Sequence, residues 1–209
     1  TMRLADIDGD GLPDHVLKIP GDEYLRVKLN AAGKSGLLRE VALPQGGRVA
    51  LDYQRAGNTV AVPHSRWVLA SVARDDGLAA VAPDRGAHSV VERYAYDEGY
   101  YDRGERLFYG FGRVEARLAD GSRRITRYAN SSIHTRGMPI ETRVVDAAGA
   151  MVLETVSRVQ ERSEGWYGGR EIVFAAVIAE TRRLYEAGTS RCVESRSEWA
   201  HDDHGNVAR

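Results

Sequence analysis

The residues with the clearest potential for chemistry are four aspartates near the start of the chain. Asp6, Asp8, Asp10 and Asp14 follow the pattern D-x-D-x-D-G-x-x-D, with carboxylates at its first, third, fifth and ninth positions. Ca²⁺ prefers carboxylate and carbonyl oxygens, and it takes about six to eight of them with loose geometry. The backbone carbonyl of Leu12 can supply a fifth protein ligand. The pattern therefore predicts a calcium site formed by Asp6, Asp8, Asp10, Leu12 and Asp14.

The residues between these aspartates fit a tight loop around a small ion. Gly9 and Gly11 let the backbone curl, because glycine tolerates conformations that other residues avoid. The loop is not an EF-hand, since Leu17 stands at the twelfth position, where an EF-hand needs a bidentate glutamate. Carboxylates this close would repel one another without a cation among them. The alternative that the sequence leaves open is a Gly- and Asp-rich turn with no metal.

Other reactive side chains lack the spacing of known catalytic or metal sites. Cys192 and His201 could form a thiol–imidazole pair, but a lone cysteine in a strand is more often a small hydrophobic residue. His201, Asp202, Asp203 and His204 could surround a metal, although a turn explains these residues equally well. We therefore predict that the chain is not an enzyme.

The composition narrows the classes of partner. The 209 residues include 29 Lys and Arg against 30 Asp and Glu, so no net field favours binding to nucleic acid or to an anionic membrane. No run of about 18 apolar residues is present, and we expect no direct membrane insertion. The N-terminal residues lack the apolar core of a signal peptide, and we expect the chain to be a piece of a longer polypeptide.

The sequence predicts that the elements around the acidic loop and the other candidate residues are β-strands. Apolar and polar residues alternate, and turn signals separate the alternating runs, in residues 48–53, 90–96, 125–128 and 152–158. This pattern predicts an all-β chain of antiparallel sheets. Glu171–Glu186 could be a helix or a strand, and we predict a strand because it opens with β-branched and aromatic residues. Ser195–Trp199 carries polar groups on both faces, which favours a thin sheet with solvent on both sides.

An aromatic block over Tyr96–Val114 predicts a structural hairpin. Its turn carries a charge cluster, and its five aromatic rings could pack together as an anchor. Gly110 and Gly112 flank Phe111 and could let a neighbouring backbone approach closely. The alternative for this block is a face that stacks against a sugar or a nucleobase.

Three stretches together resemble the B component of bacterial ABC-type insecticidal toxin complexes (Tc toxins). Asp6–Asp14, with residues 15–17 and 24–30, resembles the last FG-GAP/VCBS-type repeat of a β-propeller. Tyr96–Val114 is similar to a signature of the middle region of this component. His201–Val207 resembles the start of an Rhs/YD repeat, Y-D-x-x-G-N, with His201 in place of the usual tyrosine.

The resemblance implies three segments of a secreted bacterial virulence protein. Residues 1–38 would end the propeller and carry calcium, residues 39–145 would form the middle β-region, and residues 146–209 would lead into the YD-repeat shell. In that family the propeller docks on the A-component translocation channel. The shell, completed by the C component, encloses and delivers a cytotoxic C-terminal polypeptide.

A second hypothesis from a different class is also open. The chain could be a calcium-stabilised extracellular adhesin module that binds a carbohydrate or a receptor. In that case calcium would hold the binding loop rigid.

Overall fold

A computed structural model describes residues 1–79, 81 and 84–208. Within these residues every regular element is a strand, and every assigned strand pairing is antiparallel, which confirms the predicted all-β fold. No helix in this part of the chain has the length and hydrophobicity of a membrane span. The chain divides into two compact units, Thr1–Val91 and Glu92–Arg209.

The first unit contains two sets of three antiparallel strands. The strands of the first set, in chain order, are β1 (Met2–Ala5), β2 (Asp14–Leu17) and β3 (Arg26–Lys28). The strands of the second set are β4 (Glu40–Ala42), β5 (Arg48–Ala56) and β6 (Arg66–Asp75). The acidic loop is the connection from β1 to β2, so the first pair of strands holds both of its ends.

The second unit is a meander in which each long strand pairs with the next. Its strands are β7 (Ser89–Asp102, which begins just before the unit boundary), β8 (Leu107–Arg117), β9 (Arg123–Ala129), β10 (Met138–Val145), β11 (Met151–Tyr167), β12 (Arg170–Tyr185) and β13 (Cys192–Glu198). A separate two-stranded ribbon follows, made of β14 (Ala200–His201) and β15 (Val207–Ala208). Gly-containing turns join the strands, as Gly168 and Gly169 do between β11 and β12.

The segment that could have been a helix or a strand is strand β12, which confirms the prediction. It pairs with β11 from Leu153 opposite Leu184 to Tyr167 opposite Arg170. The strand predicted at Ser195–Trp199 is also present, as β13, and every residue of β13 is exposed. This exposure agrees with the prediction of polar groups on both faces of the strand.

A row of alternating charges crosses four strands of the second unit. Arg143 on β10 lies opposite Glu154 on β11, which lies opposite Arg183 on β12. Glu154 accepts hydrogen bonds from Arg143 Nε at 3.0 Å and from Arg183 Nη1 at 2.8 Å. Arg183 Nε also donates to Glu194 on β13, at 2.8 Å. A shift of register by one residue would move these side chains to the opposite face, so the row favours the observed pairing.

Glu154 is the buried member of this row, with only 9% of its surface exposed. The hydrogen bond from Arg183, together with that from Arg143, holds the pKa of its carboxyl below the usual value even though burial acts in the opposite direction. The carboxylate is therefore charged in the folded state at neutral pH.

The predicted segment boundaries fall in connections between strands. The boundary after Leu38 lies between β3 and β4, and the boundary after Val145 lies between β10 and β11. The two compact units instead divide after Val91, inside β7. The division into propeller end, middle region and shell start stays a prediction, and Arg209 at its end lies outside the described residues.

Candidate functional site

The acidic loop brings three of the four predicted aspartates together. Asp6, Asp8 and Asp14 each offer a carboxylate oxygen, and these oxygens lie within 4.8 Å of one another. Within the described part of the chain this is the one such cluster of His, Cys, Asp and Glu side chains. Asp14 begins β2 and the other two follow β1, so pairing of these strands closes the cluster.

Asp14 is the fixed point of the cluster, with 1% of its surface exposed. Its Oδ2 accepts a hydrogen bond from the backbone N–H of Ile7 at 2.8 Å, and its Oδ1 accepts one from the N–H of Asn30 at 2.8 Å. These backbone donors hold the pKa of Asp14 below its usual value, so the buried side chain stays charged.

Asp6 and Asp8 are exposed and also accept backbone hydrogen bonds. Asp6 accepts from the N–H groups of Asp10 at 3.0 Å and Gly11 at 2.8 Å, and Asp8 accepts from Asp10 at 3.1 Å. The N–H groups offset part of the negative charge, so the loop geometry is also compatible with a turn that binds no metal. Both interpretations of the sequence pattern therefore stay open at this loop.

Asp10 makes a contact that the sequence pattern did not indicate. Its Oδ2 lies 3.5 Å from Nη2 of Arg55 on β5, and its Oδ1 accepts the N–H of Leu12 at 2.7 Å. The guanidinium of Arg55 lies 4.0 Å from the ring centroid of Trp67 on β6, in cation–π geometry. Arg55 thus connects the acidic loop to β5 and β6. Asp10 and the Leu12 carbonyl as metal ligands stay predictions.

The loop lies close to the β5–β6 connection. A Cβ atom on Gly11 would lie 2.9 Å from the carbonyl oxygen of Ser65 and 3.1 Å from Arg55 Nη1, and one on Gly9 would overlap the side chain of Asn58. Both glycines have positive φ, as a tightly curled loop requires. The absence of a side chain at both glycines therefore lets the loop curl tightly and also lets it pack against the β5–β6 connection.

The donor set of the loop suits a hard cation. Three carboxylates supply oxygen ligands only, with no sulfur or imidazole in the cluster. Oxygen ligands favour Ca²⁺ or Mg²⁺ over Zn²⁺ or Cu²⁺, and Ca²⁺ accepts a looser arrangement of ligands than the near-ideal octahedron of Mg²⁺.

The aromatic block forms the predicted hairpin, β7 and β8. The centroid of Phe111 lies 5.0 Å from that of Tyr96 and 5.2 Å from that of Phe108, and the rings of Tyr100 and Tyr109 lie 5.5 Å apart. Tyr109 is buried, with 7% of its surface exposed. These contacts support a structural role for the block.

The two glycines beside Phe111 have different roles. A Cβ atom on Gly112 would lie 3.0 Å from Glu98 Cβ and 3.1 Å from the Glu98 carbonyl oxygen, so the close approach favours glycine there, as predicted. Nothing lies within 4 Å of the Cβ position of Gly110, whose φ of +112° requires glycine instead. Asn130 fixes this region, because its Nδ2 donates to the carbonyls of Gly110 at 3.0 Å and Glu98 at 3.3 Å.

The residues considered for other chemistry lie in a turn and on an exposed strand. Asp202 accepts the backbone N–H groups of His204 and Asn206, at 2.9 and 2.8 Å, which supports the turn interpretation of this segment. Cys192 is exposed at the start of β13.

Comparisons with known proteins identify one family and several solved structures of similar fold. Residues 1–163 match the family described as the insecticide toxin TcdB middle/N-terminal region. No curated protein gives a significant match.

Solved structures match over nearly the whole chain. The chain is similar to the crystal structure of TcdB2-TccC3, with a TM-score of 0.72 and 16% identity over 99% of this chain and 14% of that chain. It is also similar to the Tc holotoxin pore of Photorhabdus luminescens, with a TM-score of 0.71 and 16% identity over 98% of this chain and 13% of that chain. A third match is TcdB2-TccC3 without its hypervariable C-terminal region, with a TM-score of 0.67 and 17% identity over 94% of this chain and 13% of that chain. The chain thus spans about a seventh of the length of these chains, and at this identity the likeness is one of fold.

Proposed function

The chain belongs to the insecticide toxin TcdB middle/N-terminal region family, and from this premise we propose that it is a non-enzymatic structural segment of the B component of a secreted toxin complex. Its strands help to form the propeller and the β-shell that enclose and deliver a cytotoxic C-terminal polypeptide. The observation that carries this proposal is the family match over residues 1–163, and the fold match over 99% of the chain supports it.

The second unit has the properties that a thin container wall needs. Its strands follow one another in a meander, and β13 is exposed along its whole length. Exposed polar side chains suit a wall with water on both sides. A closed wall also removes the free strand edges that would pair with other chains.

The proposed partners are the C component and the A-component translocation channel of the complex. The solved structures that the chain resembles include TcdB2 with TccC3 and a Tc holotoxin pore. By analogy, residues 1–38 end the propeller that meets the channel, residues 39–145 form the middle region, and residues 146–209 lead into the YD-repeat shell. The protein acts outside the bacterial cell, without binding nucleic acid and without inserting into the membrane itself.

We propose that the acidic loop binds a structural Ca²⁺ through Asp6, Asp8 and Asp14. Calcium would supply a positive charge among these carboxylates and stabilise the form in which β1 and β2 are paired. Asp10 attaches the same loop to Arg55. The loop would therefore be held by a cation at one side and by an ion pair at the other.

The calcium proposal is tested by thermal unfolding of variants with and without calcium. Asp8→Asn keeps the hydrogen-bond acceptor and removes a charge, so it should abolish the rise in melting temperature that calcium produces. Asp10→Asn should lower the melting temperature in excess chelator as well as in calcium, because it weakens the contact with Arg55; a larger decrease in calcium would show that Asp10 is also a ligand. Glu23→Gln, at an exposed residue of the same unit, is the matched control. A wild-type melting temperature that does not respond to calcium would refute the proposal.

The structural role is tested by co-expression of the polypeptide that carries this segment with its C component. The proposal predicts a stable complex in which the C-terminal polypeptide of the C component resists added protease. A cargo that is digested as quickly in the complex as when free would contradict it. Binding of the segment to individual glycans on an array, without any complex with the C component, would favour the adhesin hypothesis instead.

A further inference from the structure

The turn that joins β14 and β15 is stabilised by hydrogen bonds among its own residues. Asp202 Oδ1 accepts the N–H groups of His204 and Asn206, and its Oδ2 accepts Asn206 Nδ2 at 3.1 Å. The backbone closes the same turn, since Asp202 N donates to the Asn206 carbonyl at 3.0 Å and Gly205 N donates to the Asp202 carbonyl at 3.1 Å. The Asp, Gly and Asn of the D-x-x-G-N pattern therefore each have a role within the turn.

This turn lies against the part of the β11–β12 hairpin that extends beyond its neighbours. The pairing of β11 with β10 covers Met151–Val156, and the pairing of β12 with β13 covers Ala179–Tyr185. The remainder of the two strands pairs as a hairpin up to Tyr167 opposite Arg170. Within it, Arg162 on β11 lies directly opposite Phe174 on β12.

Arg162 donates hydrogen bonds to two consecutive carbonyls of the turn. Its Nη2 donates to the Asp202 carbonyl at 2.9 Å and its Nη1 donates to the His201 carbonyl at 3.3 Å. Glu164 accepts from its Nε at 2.5 Å, which orients the guanidinium and balances its charge. A planar guanidinium is suited to two parallel donations of this kind, which a lysine ammonium does not reproduce.

Phe174 supplies the apolar half of the contact. Its ring centroid lies 5.4 Å from the guanidinium carbon of Arg162 and 5.5 Å from the ring centroid of His201, edge to face. A Cβ atom on Gly205 would lie 2.9 Å from Phe174 Cε2. Position 205 thus favours glycine for two reasons: its backbone has a positive φ of +81°, and the ring of Phe174 packs against it.

A cavity lies beside the contact between the turn and the hairpin. It has a volume of about 610 Å³ and is lined by Arg158, Gln160, Ala176 and Ile178 of the hairpin and by Trp199 and Ala208 of the segment that carries the ribbon. Next to the cavity, the backbone N–H of Trp199 donates to the Ile178 carbonyl at 3.0 Å. Arg162, Phe174 and His201 also line this cavity, so the contact with the turn lies at its wall.

We propose that Arg162 and Phe174 form a docking site for β-turns of the D-x-x-G-N type, occupied here by the turn at Asp202–Asn206. The site contacts two adjacent backbone carbonyls of the turn and the open face of its glycine. The aromatic position that precedes the aspartate, His201 in this chain, packs on the phenylalanine. The assignment rests on these contacts and does not depend on the proposed toxin role.

The test is hydrogen exchange, followed by mass spectrometry, of the whole chain carrying Arg162→Ala. Two hydrogen bonds from a charged group are lost, so the amides of residues 202–206 should exchange about tenfold faster or more. Arg158→Ala is the matched control, because Arg158 lies on the same strand, is exposed and lines the same cavity. Exchange at residues 202–206 that is the same in the two variants would overturn the proposal.

Two further variants keep the test decisive if Arg162→Ala does not fold. Arg162→Lys keeps the charge and loses the forked geometry, so exchange of the turn should be faster than in wild type. Phe174→Leu keeps an apolar side chain and loses the ring against Gly205 and His201, and it should also accelerate exchange of the turn. Wild-type exchange of the turn in both of these folded variants would likewise overturn the assignment.

Discussion

Replacement of Glu154 by glutamine tests whether the charged row holds the register of the second unit. Glutamine has nearly the same shape but no charge and only one acceptor oxygen, so it keeps one of the hydrogen bonds from Arg143 and Arg183 and turns its NH2 donor towards the other guanidinium. Hydrogen bonds that involve a charged group contribute about 1.5–3 kcal/mol each. Both arginines are partly exposed and keep second carboxylate partners, Glu141 and Glu194. The expected loss is therefore about 2 kcal/mol in the free energy of unfolding.

Urea unfolding and thermal unfolding followed by circular dichroism measure this loss. For a chain of this length, 2 kcal/mol corresponds to a decrease of about 4–8 °C in the melting temperature. Glu161→Gln on the same strand is the matched control, because Glu161 is exposed and carries the same substitution. Equal stability of the Glu154 and Glu161 variants would refute the role given to the charged row.

The effect of the Glu154 substitution should also depend on pH. The folded-state pKa of Glu154 is below its value of about 4.5 in the unfolded chain. A lowered pKa contributes stability that is present above the unfolded pKa and is lost as the pH falls through the folded pKa. The difference in the free energy of unfolding between wild type and Glu154→Gln should therefore be largest at neutral pH and should decrease below about pH 4.5. A difference that grows in acid would contradict this reasoning.

Two other substitutions test the aromatic hairpin and the docking of the acidic loop. Gly112→Ala places a methyl group 3.0 Å from Glu98 Cβ, and it should lower stability in urea unfolding by about 1–3 kcal/mol; stability equal to wild type would refute the close approach. Arg55→Ala removes the contacts to Asp10 and Trp67, so it should lower the melting temperature both with and without calcium and shift tryptophan fluorescence to longer wavelength. An Arg55 variant with unchanged fluorescence and stability would show that the acidic loop is held without it.

The strands could be predicted because their signal is local. Alternation of apolar and polar residues and regularly spaced turn residues depend only on neighbouring positions in the chain. Even the Ala-rich segment of β12 was predictable, since it opens with Ile172, Val173 and Phe174, which favour strands. The role of Gly112 was also predicted, whereas Gly110 proved to be required for its backbone conformation.

The contacts that join distant residues could not be predicted from the sequence. Arg55 is 45 positions from Asp10, and no local pattern connects them. Arg162 is 40 positions from Asp202, and their contact depends on how far the β11–β12 hairpin extends beyond its neighbours. The charged row at Glu154 depends on the register of β10, β11 and β12, which the alternation of residue types leaves undetermined.

We propose that this chain is part of the wall of a toxin container. The most direct test of this proposal is a cryo-electron microscopy map of the polypeptide that carries this segment in complex with its C component. We expect β11–β13 to lead into a closed β-shell that surrounds weak, disordered density for the cargo. A map in which these strands project from the surface as a free module, with no enclosed polypeptide, would contradict it.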